Sequence, residues 1–173
     1  MTELAVIQGD ITKLEVDAIV NAASPALLGC HGVDGAIHRA AGPELLGACR
    51  RLGGCDHGDA KITPGFNLPA RYVIHAVGPI WHGGGAREDY LLKLCYRRSM
   101  ELAAGCELRS IAFPCIGTGM YRFPKTKAAE IAIETVSEFT RVHPFALDQV
   151  VFCMLDAEMV ELYQKLLSVE MVS

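Results

Sequence analysis

Short apolar runs rich in β-branched residues recur along the chain, and polar segments separate them, which is typical of strands in a folded sheet. Strands are predicted at Leu4–Gln8, Asp17–Asn21, Tyr72–Val77, Ser110–Cys115 and Val150–Leu155, with a weaker pattern at Ala60–Thr63. Residues 18–20 and 150–152 are continuously apolar, as strands buried on both faces of a sheet are. The pattern therefore indicates a sheet with both faces covered.

Between these runs, apolar residues return at the spacing of amphipathic helices. The clearest stretch is 125–141, where one face carries Ala128, Ile131, Ala132, Thr135, Val136 and Phe139. Helices are predicted at Val33–Ala41, Pro43–Leu52, Glu88–Ala104, Lys125–Arg141 and Ala157–Val169. The first two are separated at Gly42-Pro43, where proline can begin a new first turn. Strands alternating with helices predict an α/β sandwich.

Length and composition narrow the class of protein. The chain has 173 residues, of which 51% are hydrophobic and 21% charged, a balance that predicts one globular domain over residues 1–173. No apolar run reaches 18 residues, so no membrane span is expected. The first residues lack the basic start of a signal peptide, which makes a cytoplasmic location the default expectation. The net charge of −4 argues against a nucleic-acid binder that depends on phosphate contacts.

The seven cysteines include no pair at CxxC spacing. The nearest approach to a zinc site is Cys55-Asp56-His57, which has no second pair of ligands close by. We therefore expect mostly buried free thiols and no metal, as in proteins of a reducing compartment.

Two glycine-containing loops follow predicted strands and lead toward helices. They cover residues 28–35, Leu-Gly-Cys-His-Gly-Val-Asp-Gly, and residues 116–121, Ile-Gly-Thr-Gly-Met-Tyr. Glycine lets a backbone approach a ligand closely, and consecutive N–H groups near a helix start can bind phosphate. The alternative is that both loops are only tight turns. Neither matches the P-loop or the dinucleotide-binding motif, which disfavours nucleotide kinases and Rossmann dehydrogenases.

Three further side chains are candidates for chemistry at the same edge of the sheet. Asp10 can accept a hydrogen bond from an adenine amino group or cap the turn at Thr12. Asp34 stands at a predicted helix start, where it is either a functional carboxylate or a simple cap. His38 lies four residues later on the same helix face and is either a packed residue or a proton carrier.

Five motifs, in this order, make the chain resemble the macrodomain family from its start to about Tyr163. They are Gly9-Asp10-Ile11-Thr12, residues 17–23 (Asp-Ala-Ile-Val-Asn-Ala-Ala), residues 32–43 (Gly-Val-Asp-Gly-Ala-Ile-His-Arg-Ala-Ala-Gly-Pro), residues 73–79 (Val-Ile-His-Ala-Val-Gly-Pro) and Gly117-Thr118-Gly119-Met120-Tyr121. The most similar branch is the MacroD-type enzymes, which remove ADP-ribose from modified acidic side chains and deacetylate O-acetyl-ADP-ribose. The resemblance implies a three-layer α/β/α sandwich with a mixed, mostly parallel central sheet.

The resemblance also implies roles for individual residues. Asp10 would bind the adenine amino group beside the Ile11 backbone, and Asn21 would orient the ribose or the first loop. Asp34 would be the catalytic carboxylate, acting with an ordered water and with Asn21. The phosphates and the distal ribose would be lined by Gly32, Val33, Asp34, Gly117, Thr118, Gly119, Met120 and Tyr121, with Tyr121 packing on the distal ribose.

The chain departs from the family pattern at three places. Ser24 stands where the family has a second asparagine that contacts the ribose and water region, and it offers one donor instead of two. Cys30 and His31 replace two glycines of the first loop. Leu155 takes the adenine-stacking position, which is often aromatic, so it can pack on the base without ring stacking.

The resemblance thus implies a hydrolase that acts on ADP-ribose esters without a metal or cofactor. Its expected partners are ADP-ribose or O-acetyl-ADP-ribose and mono-ADP-ribosylated proteins, and a monomer is expected. A non-catalytic reader of ADP-ribosylated proteins remains open because of Ser24 and His31. A regulator that binds RNA or protein through its surface has only the general fold in its favour.

Overall fold

A computed structural model describes residues 1–29 and 32–172, and this part of the chain contains six strands and five α-helices. The strands are β1 (Glu3–Gln8), β2 (Ala18–Ala22), β3 (Ala60–Pro64), β4 (Tyr72–Ala76), β5 (Ser110–Phe113) and β6 (Gln149–Met154). The helices are α1 (Gly32–Ala41), α2 (Glu44–Leu52), α3 (Glu88–Gly105), α4 (Lys125–Val142) and α5 (Ala157–Val172). Every predicted strand and helix is present. A short 3-10 helix at Ile11–Lys13 was not predicted.

The six strands form one sheet in the order β1-β6-β5-β2-β4-β3. All neighbouring pairs are parallel except β3 with β4, which is antiparallel. This arrangement confirms the expected mixed, mostly parallel sheet. The carboxyl ends of the five parallel strands therefore meet at one edge, where ligands bind in such folds.

Helices cover both faces of the sheet and enclose two apolar layers. On one face, α1 and α2 pack residues such as Ile37 and Leu45 against Ile19 and Val73. On the other face, α3, α4 and α5 pack residues such as Tyr96 and Tyr163 against the opposite sides of the strands. The three-layer α/β/α sandwich is therefore confirmed. Within the described ranges, none of the helices combines the length and apolar character needed to cross a membrane.

The cysteines behave as the sequence predicts. Of the six in the described part of the chain, all are free thiols, and four are buried: Cys49, Cys55, Cys95 and Cys153. Burial raises the pKa of each of these four thiols, to about 11 or 12. They are consequently neutral packing residues at physiological pH.

One buried carboxylate organises the loop that connects β4 to α3. Glu88 accepts hydrogen bonds from the backbone N–H groups of His82 and Gly84 at 2.9 and 2.8 Å, and also from that of Ala86. These bonds, led by the one from His82, lower the pKa of Glu88 to about 2. The loop in turn reaches the ligand edge of the sheet, because the N–H of Trp81 donates to the Tyr121 carbonyl at 2.8 Å.

We expect Glu88→Gln to loosen this loop and to reduce the acid sensitivity of the fold. The lowered pKa means that ionised Glu88 stabilises the fold at pH values above 4.5, the ordinary pKa of a glutamate side chain. This stabilisation is lost as the pH falls toward 2. Urea unfolding followed by the fluorescence of Trp81, the single tryptophan, should show a lower midpoint for the variant at pH 7. The difference from wild type should shrink at pH 3. An equal difference at both pH values would contradict the assignment.

Candidate active site

A cavity of about 260 Å³ opens at the carboxyl edge of the sheet, between the ends of β2, β4 and β5. Its lining residues are Ala22, Ala23, Ser24, Gly32, Val33, Asp34, Gly78, Cys115, Ile116, Gly117, Gly119, Met120 and Tyr121. The cavity therefore brings residues of both glycine loops together around one space, as the resemblance implies. Its volume lies slightly below the roughly 300–1,000 Å³ of sites for drug-sized ligands, so a ligand larger than a phosphorylated sugar would extend beyond it.

Unpaired backbone N–H groups make this cavity suited to an anion. The N–H groups of Gly117, Thr118, Gly119 and Met120 donate to no acceptor within the described ranges. On the opposite side, the first turn of α1 begins at Gly32, and the first N–H groups of any helix lack partners inside the helix. Both features favour a phosphate between the two loops.

Two glycines allow the backbone to form this cavity. Gly117 has φ of +84°, in the left-handed region that side chains with a Cβ rarely adopt. Gly78 lies against the same loop, and a Cβ added there would stand 3.0 Å from Cγ2 of Ile116. A larger residue at either position would therefore displace the loop that carries the free N–H groups.

Asp34 is a buried carboxylate at the cavity wall. It is 3% exposed, and its Oδ1 accepts a hydrogen bond from the side-chain amide of Asn21 at 2.8 Å. His38 lies one helical turn away, with its Nε2 3.5 Å from the same oxygen. Burial raises the pKa of Asp34, and the Asn21 bond only partly offsets this effect. Oδ2 is itself buried and has no hydrogen-bond partner in the described part of the chain.

Asn21 holds Asp34 and does not line the cavity. Its side chain is fully buried at the end of β2, and its amide nitrogen contacts both Asp34 Oδ1 and Nδ1 of His75, the latter at 3.1 Å. That Asn21 orients the ribose, one of the two expectations for this residue, stays a prediction. The other expectation, that Asn21 orients the first loop, agrees with its bond to a residue of α1.

Asp10, Ile11 and Leu155 do not line the cavity and lie on the neighbouring part of the same edge. Asp10 caps the 3-10 helix, because its Oδ1 accepts from the Thr12 hydroxyl at 2.7 Å and from the Thr12 N–H at 3.0 Å. Both bonds lower its pKa, the hydroxyl bond more strongly. Capping and ligand binding are compatible, since both bonds use Oδ1 and leave Oδ2 for a ligand amine. Ile11 is buried, whereas Leu155 is 71% exposed after β6.

The remaining predicted residues divide between the wall and the rim. Ser24 and Val33 line the wall, Tyr121 lies at the rim with its ring 5.9 Å from that of His57, and the exposed Met120 borders the mouth. Thr118 belongs to the second loop without lining the cavity. Cys30 and His31, the departures in the first loop, lie outside the described residues.

Sequence reasoning did not single out several residues that the structure places at the site. Gly78 and Cys115 line the cavity, and His75 and Thr63 lie beneath it in contact with each other. Gly78 and His75 were part of a recognised motif without a role of their own. Cys115 ends a predicted strand, and burial raises its pKa to about 11, so the cavity faces a neutral thiol. No sequence pattern marks Thr63 as a site residue, because its contact with His75 depends on the pairing of β3 with β4.

Comparison with known proteins finds one family repeatedly. A family model described as Macro domain matches residues 20–132. A macro domain-containing protein of Ralstonia nicotianae is 59% identical over 165 residues, which are 95% of this chain and 94% of the relative. The O-acetyl-ADP-ribose deacetylase of Escherichia coli K12 is 52% identical over 171 residues, with 96% of each chain covered.

Solved structures of similar proteins include complexes with nucleotide ligands. The Oceanobacillus iheyensis macrodomain with ADP superimposes with a TM-score of 0.93 at 40% identity, covering 99% of this chain and 93% of that one. The Trypanosoma brucei macrodomain in complex with ADP-ribose gives a TM-score of 0.89 at 42% identity, covering 94% of this chain and 68% of that one.

Proposed function

This chain belongs to the macrodomain family, and from that membership we propose that it binds ADP-ribose and hydrolyses esters attached to the distal ribose. The substrates proposed are O-acetyl-ADP-ribose and proteins mono-ADP-ribosylated on acidic side chains. One observation carries the hydrolase proposal: Asp34, a buried carboxylate with a raised pKa and an Oδ2 that has no hydrogen-bond partner among the described residues, stands at the wall of the cavity between the two loops. The deacetylase activity in the name of the Escherichia coli relative supports the same reaction class.

The binding part of the proposal follows from the distribution of donors. The pyrophosphate lies between the N–H groups of residues 117–120 and the start of α1, where the helix dipole also favours an anion. The distal ribose occupies the cavity near Asp34 and Tyr121. The adenosine extends over the open edge, where the free Oδ2 of Asp10 accepts from the adenine amine and Leu155 packs on the base.

The chemical part assigns Asp34 as a general base. Its carboxylate takes a proton from a water molecule while the water oxygen bonds to the ester carbonyl carbon. Collapse of this intermediate breaks the bond between that carbon and the ribose oxygen, which takes the proton back. The products are a free carboxylic acid and ADP-ribose. Burial raises the basicity of Asp34, which suits this task.

The site of water attack decides between this route and attack at the anomeric carbon of a glutamate-linked ester. In isotopically labelled water, attack at the carbonyl places the label in the released carboxylate, whereas attack at the anomeric carbon places it in ADP-ribose. Mass spectrometry of both products separates the two routes, and the first result is expected.

The proposed function is tested by incubating the protein with O-acetyl-ADP-ribose and with a peptide mono-ADP-ribosylated on glutamate. We expect release of acetate from the first and of ADP-ribose from the second, with ADP-ribose binding in calorimetry. Binding without release from either substrate would leave the second candidate, a reader of ADP-ribosylated proteins, which Ser24 favours because the family asparagine is absent. Failure to bind ADP-ribose would overturn both.

Restoring the family residue at position 24 should accelerate the reaction. Ser24 lines the cavity wall, and asparagine would add a donor and greater reach toward the ribose and its water. One additional hydrogen bond made in the transition state corresponds to an increase in kcat of up to roughly tenfold for Ser24→Asn. Steady-state kinetics on O-acetyl-ADP-ribose measure this. Ser24→Ala is the matched control and should be slower than wild type. A reduced kcat in Ser24→Asn would show that the site requires serine, and an unchanged kcat would show that the residue at position 24 does not limit the rate.

A further inference from the structure

Four buried polar side chains form a continuous line beneath the cavity. Thr63 Oγ1 lies 2.9 Å from Nε2 of His75, whose Nδ1 lies 3.1 Å from the amide nitrogen of Asn21. That nitrogen donates to Asp34 at 2.8 Å. None of the four is more than 4% exposed. The amide oxygen of Asn21 and Oδ2 of Asp34 have no partner among the described residues. The contacts along the line pair the other polar atoms of the four side chains and so fix how these side chains are oriented relative to one another.

Strand pairing brings these residues together from distant parts of the sequence. Asn21 on β2 and His75 on β4 are direct partners in the parallel register, so their side chains project from the same face. His75 also pairs with Lys61 of β3, and Thr63 lies two residues further along on that same face. Asp34 approaches from α1, which covers this side of the sheet.

The chemistry of the Asn21 amide determines where the His75 proton lies. The amide nitrogen is a donor only, so the His75 Nδ1 that it contacts must carry a lone pair. Burial lowers the pKa of His75 to about 3, with a smaller contribution from the charge of His38. The ring is therefore neutral with its proton on Nε2, which donates to Thr63 Oγ1. Cys49 Sγ, 3.7 Å from the same nitrogen, is a neutral thiol.

We propose that Thr63 and His75 are positioning residues that hold the Asn21 amide, and through it the Asp34 carboxylate, in the orientation required for ester hydrolysis. The inference rests on the proposed function of Asp34. Without an acceptor at position 63, the proton on Nε2 is left with only the weak sulfur acceptor of Cys49 at 3.7 Å, and the tautomer protonated on Nδ1 becomes competitive. In that tautomer the N–H of Nδ1 and the NH₂ group of the Asn21 amide are two donors that face each other. The amide therefore turns and presents its oxygen to both His75 and Asp34. The carboxylate then loses its donor.

The test compares Thr63→Val, which removes the hydroxyl at nearly constant shape, with Thr63→Ser, which keeps it. We expect kcat for O-acetyl-ADP-ribose to fall roughly tenfold in Thr63→Val, the effect of one buried hydrogen bond, with KM and the ADP-ribose Kd unchanged. Thr63→Ser should retain most of the activity. Ring nitrogen shifts in NMR spectra should report a single tautomer protonated on Nε2 in wild type and in Thr63→Ser, and a mixture in Thr63→Val. Exchange of the Asn21 side-chain amide protons should be faster in Thr63→Val alone.

The outcomes separate positioning from simple packing. An equal loss of kcat in both variants, or a loss accompanied by weaker ADP-ribose binding, would mean that Thr63 only fills space. An unchanged kcat and tautomer in Thr63→Val would also overturn the proposal. If the wild-type protein hydrolyses no ester, the proposed function fails, and the NMR spectra alone decide whether Thr63 holds Asn21. A change of tautomer and of Asn21 exchange in Thr63→Val but not in Thr63→Ser would still establish that Thr63 holds Asn21, whereas unchanged spectra would refute it.

Discussion

Replacing Asp34 with alanine is expected to lower kcat for ester hydrolysis by roughly 10²–10⁴-fold, the contribution of a positioned general base. The ADP-ribose Kd should remain within a few-fold of wild type, because phosphate binding depends on the N–H groups of residues 117–120 and of the α1 start. The variant removes the only carboxylate among the described residues that line the cavity. Hydrolysis by single-turnover kinetics and binding by calorimetry measure the two effects separately.

The pH dependence of hydrolysis by the wild-type protein checks the same assignment. Burial raises the pKa of Asp34 above its ordinary value of 3.8, and the base acts only when ionised. The rate should therefore rise with pH through that raised pKa, so its acidic limb should lie above pH 3.8. The residual rate of Asp34→Ala should lack this limb.

An exposed aspartate supplies the matched control for Asp34. Asp148 lies before β6, at the opposite edge of the sheet, and pairs with Arg109 at 2.6 Å on the surface. Asp148→Ala should keep the wild-type kcat and binding, since surface ion pairs contribute little. If Asp34→Ala hydrolyses at the wild-type rate, the general base is another group. If Asp34→Ala loses ADP-ribose binding instead, Asp34 acts in ligand recognition.

Replacing Gly117 with valine should weaken ADP-ribose binding by roughly 5- to 150-fold, which corresponds to the 1–3 kcal/mol cost of holding a side chain in the left-handed region. Gly117 has φ of +84°, and a β-branched residue is a strong outlier there. In the free protein the loop can relax away from this conformation. Ligand binding must restore it, because consecutive N–H groups converge on a phosphate only in that form, so the strain reduces affinity.

Gly105 provides the control for the valine substitution. It ends α3, its φ is not positive, and a Cβ added there meets no atom within 4 Å. Gly105→Val should bind ADP-ribose as wild type does, and thermal melting should show both variants folded. Calorimetric titration with ADP-ribose gives the comparison. Unchanged affinity in Gly117→Val would mean that the second loop does not hold the phosphates.

The two substitutions together separate the halves of the proposed function. Asp34→Ala should affect turnover and spare binding, whereas Gly117→Val should affect binding first. A protein that only reads ADP-ribose would respond to Gly117→Val and show no turnover to lose in Asp34→Ala. The pair therefore distinguishes the hydrolase from the reader without knowledge of the physiological target.

Local chemistry explains why the elements and the loops were predictable. Apolar periodicity is set within ten or so residues, and it marked all six strands and all five helices, with ends displaced by at most three residues. The glycines and the helix start of the two loops are equally local signals, and both loops border one cavity. The Asp10 alternatives were also local: the Thr12 cap exists, and it leaves the second carboxylate oxygen available.

The sequence could not supply the spatial arrangement of segments that lie far apart in the chain. The antiparallel placement of β3, the full burial of Asn21 and the 71% exposure of Leu155 all depend on how the sheet is ordered and where its edges end. The carboxylate of Asp34 is visible in sequence as a helix-start residue, but its raised pKa arises from burial.

By itself, the sequence determined an α/β sandwich with both faces of the sheet covered, two glycine loops and a carboxylate, Asp34, at a helix start, because these follow from periodicity, backbone freedom and position along the chain. Only the tertiary structure decided which donors and acceptors meet. Asn21, His75 and Thr63 lie on three strands far apart in the chain, and strand register alone sets them on one face beneath Asp34. Hydrogen bonds act over about 3 Å, a distance that no spacing along the chain specifies.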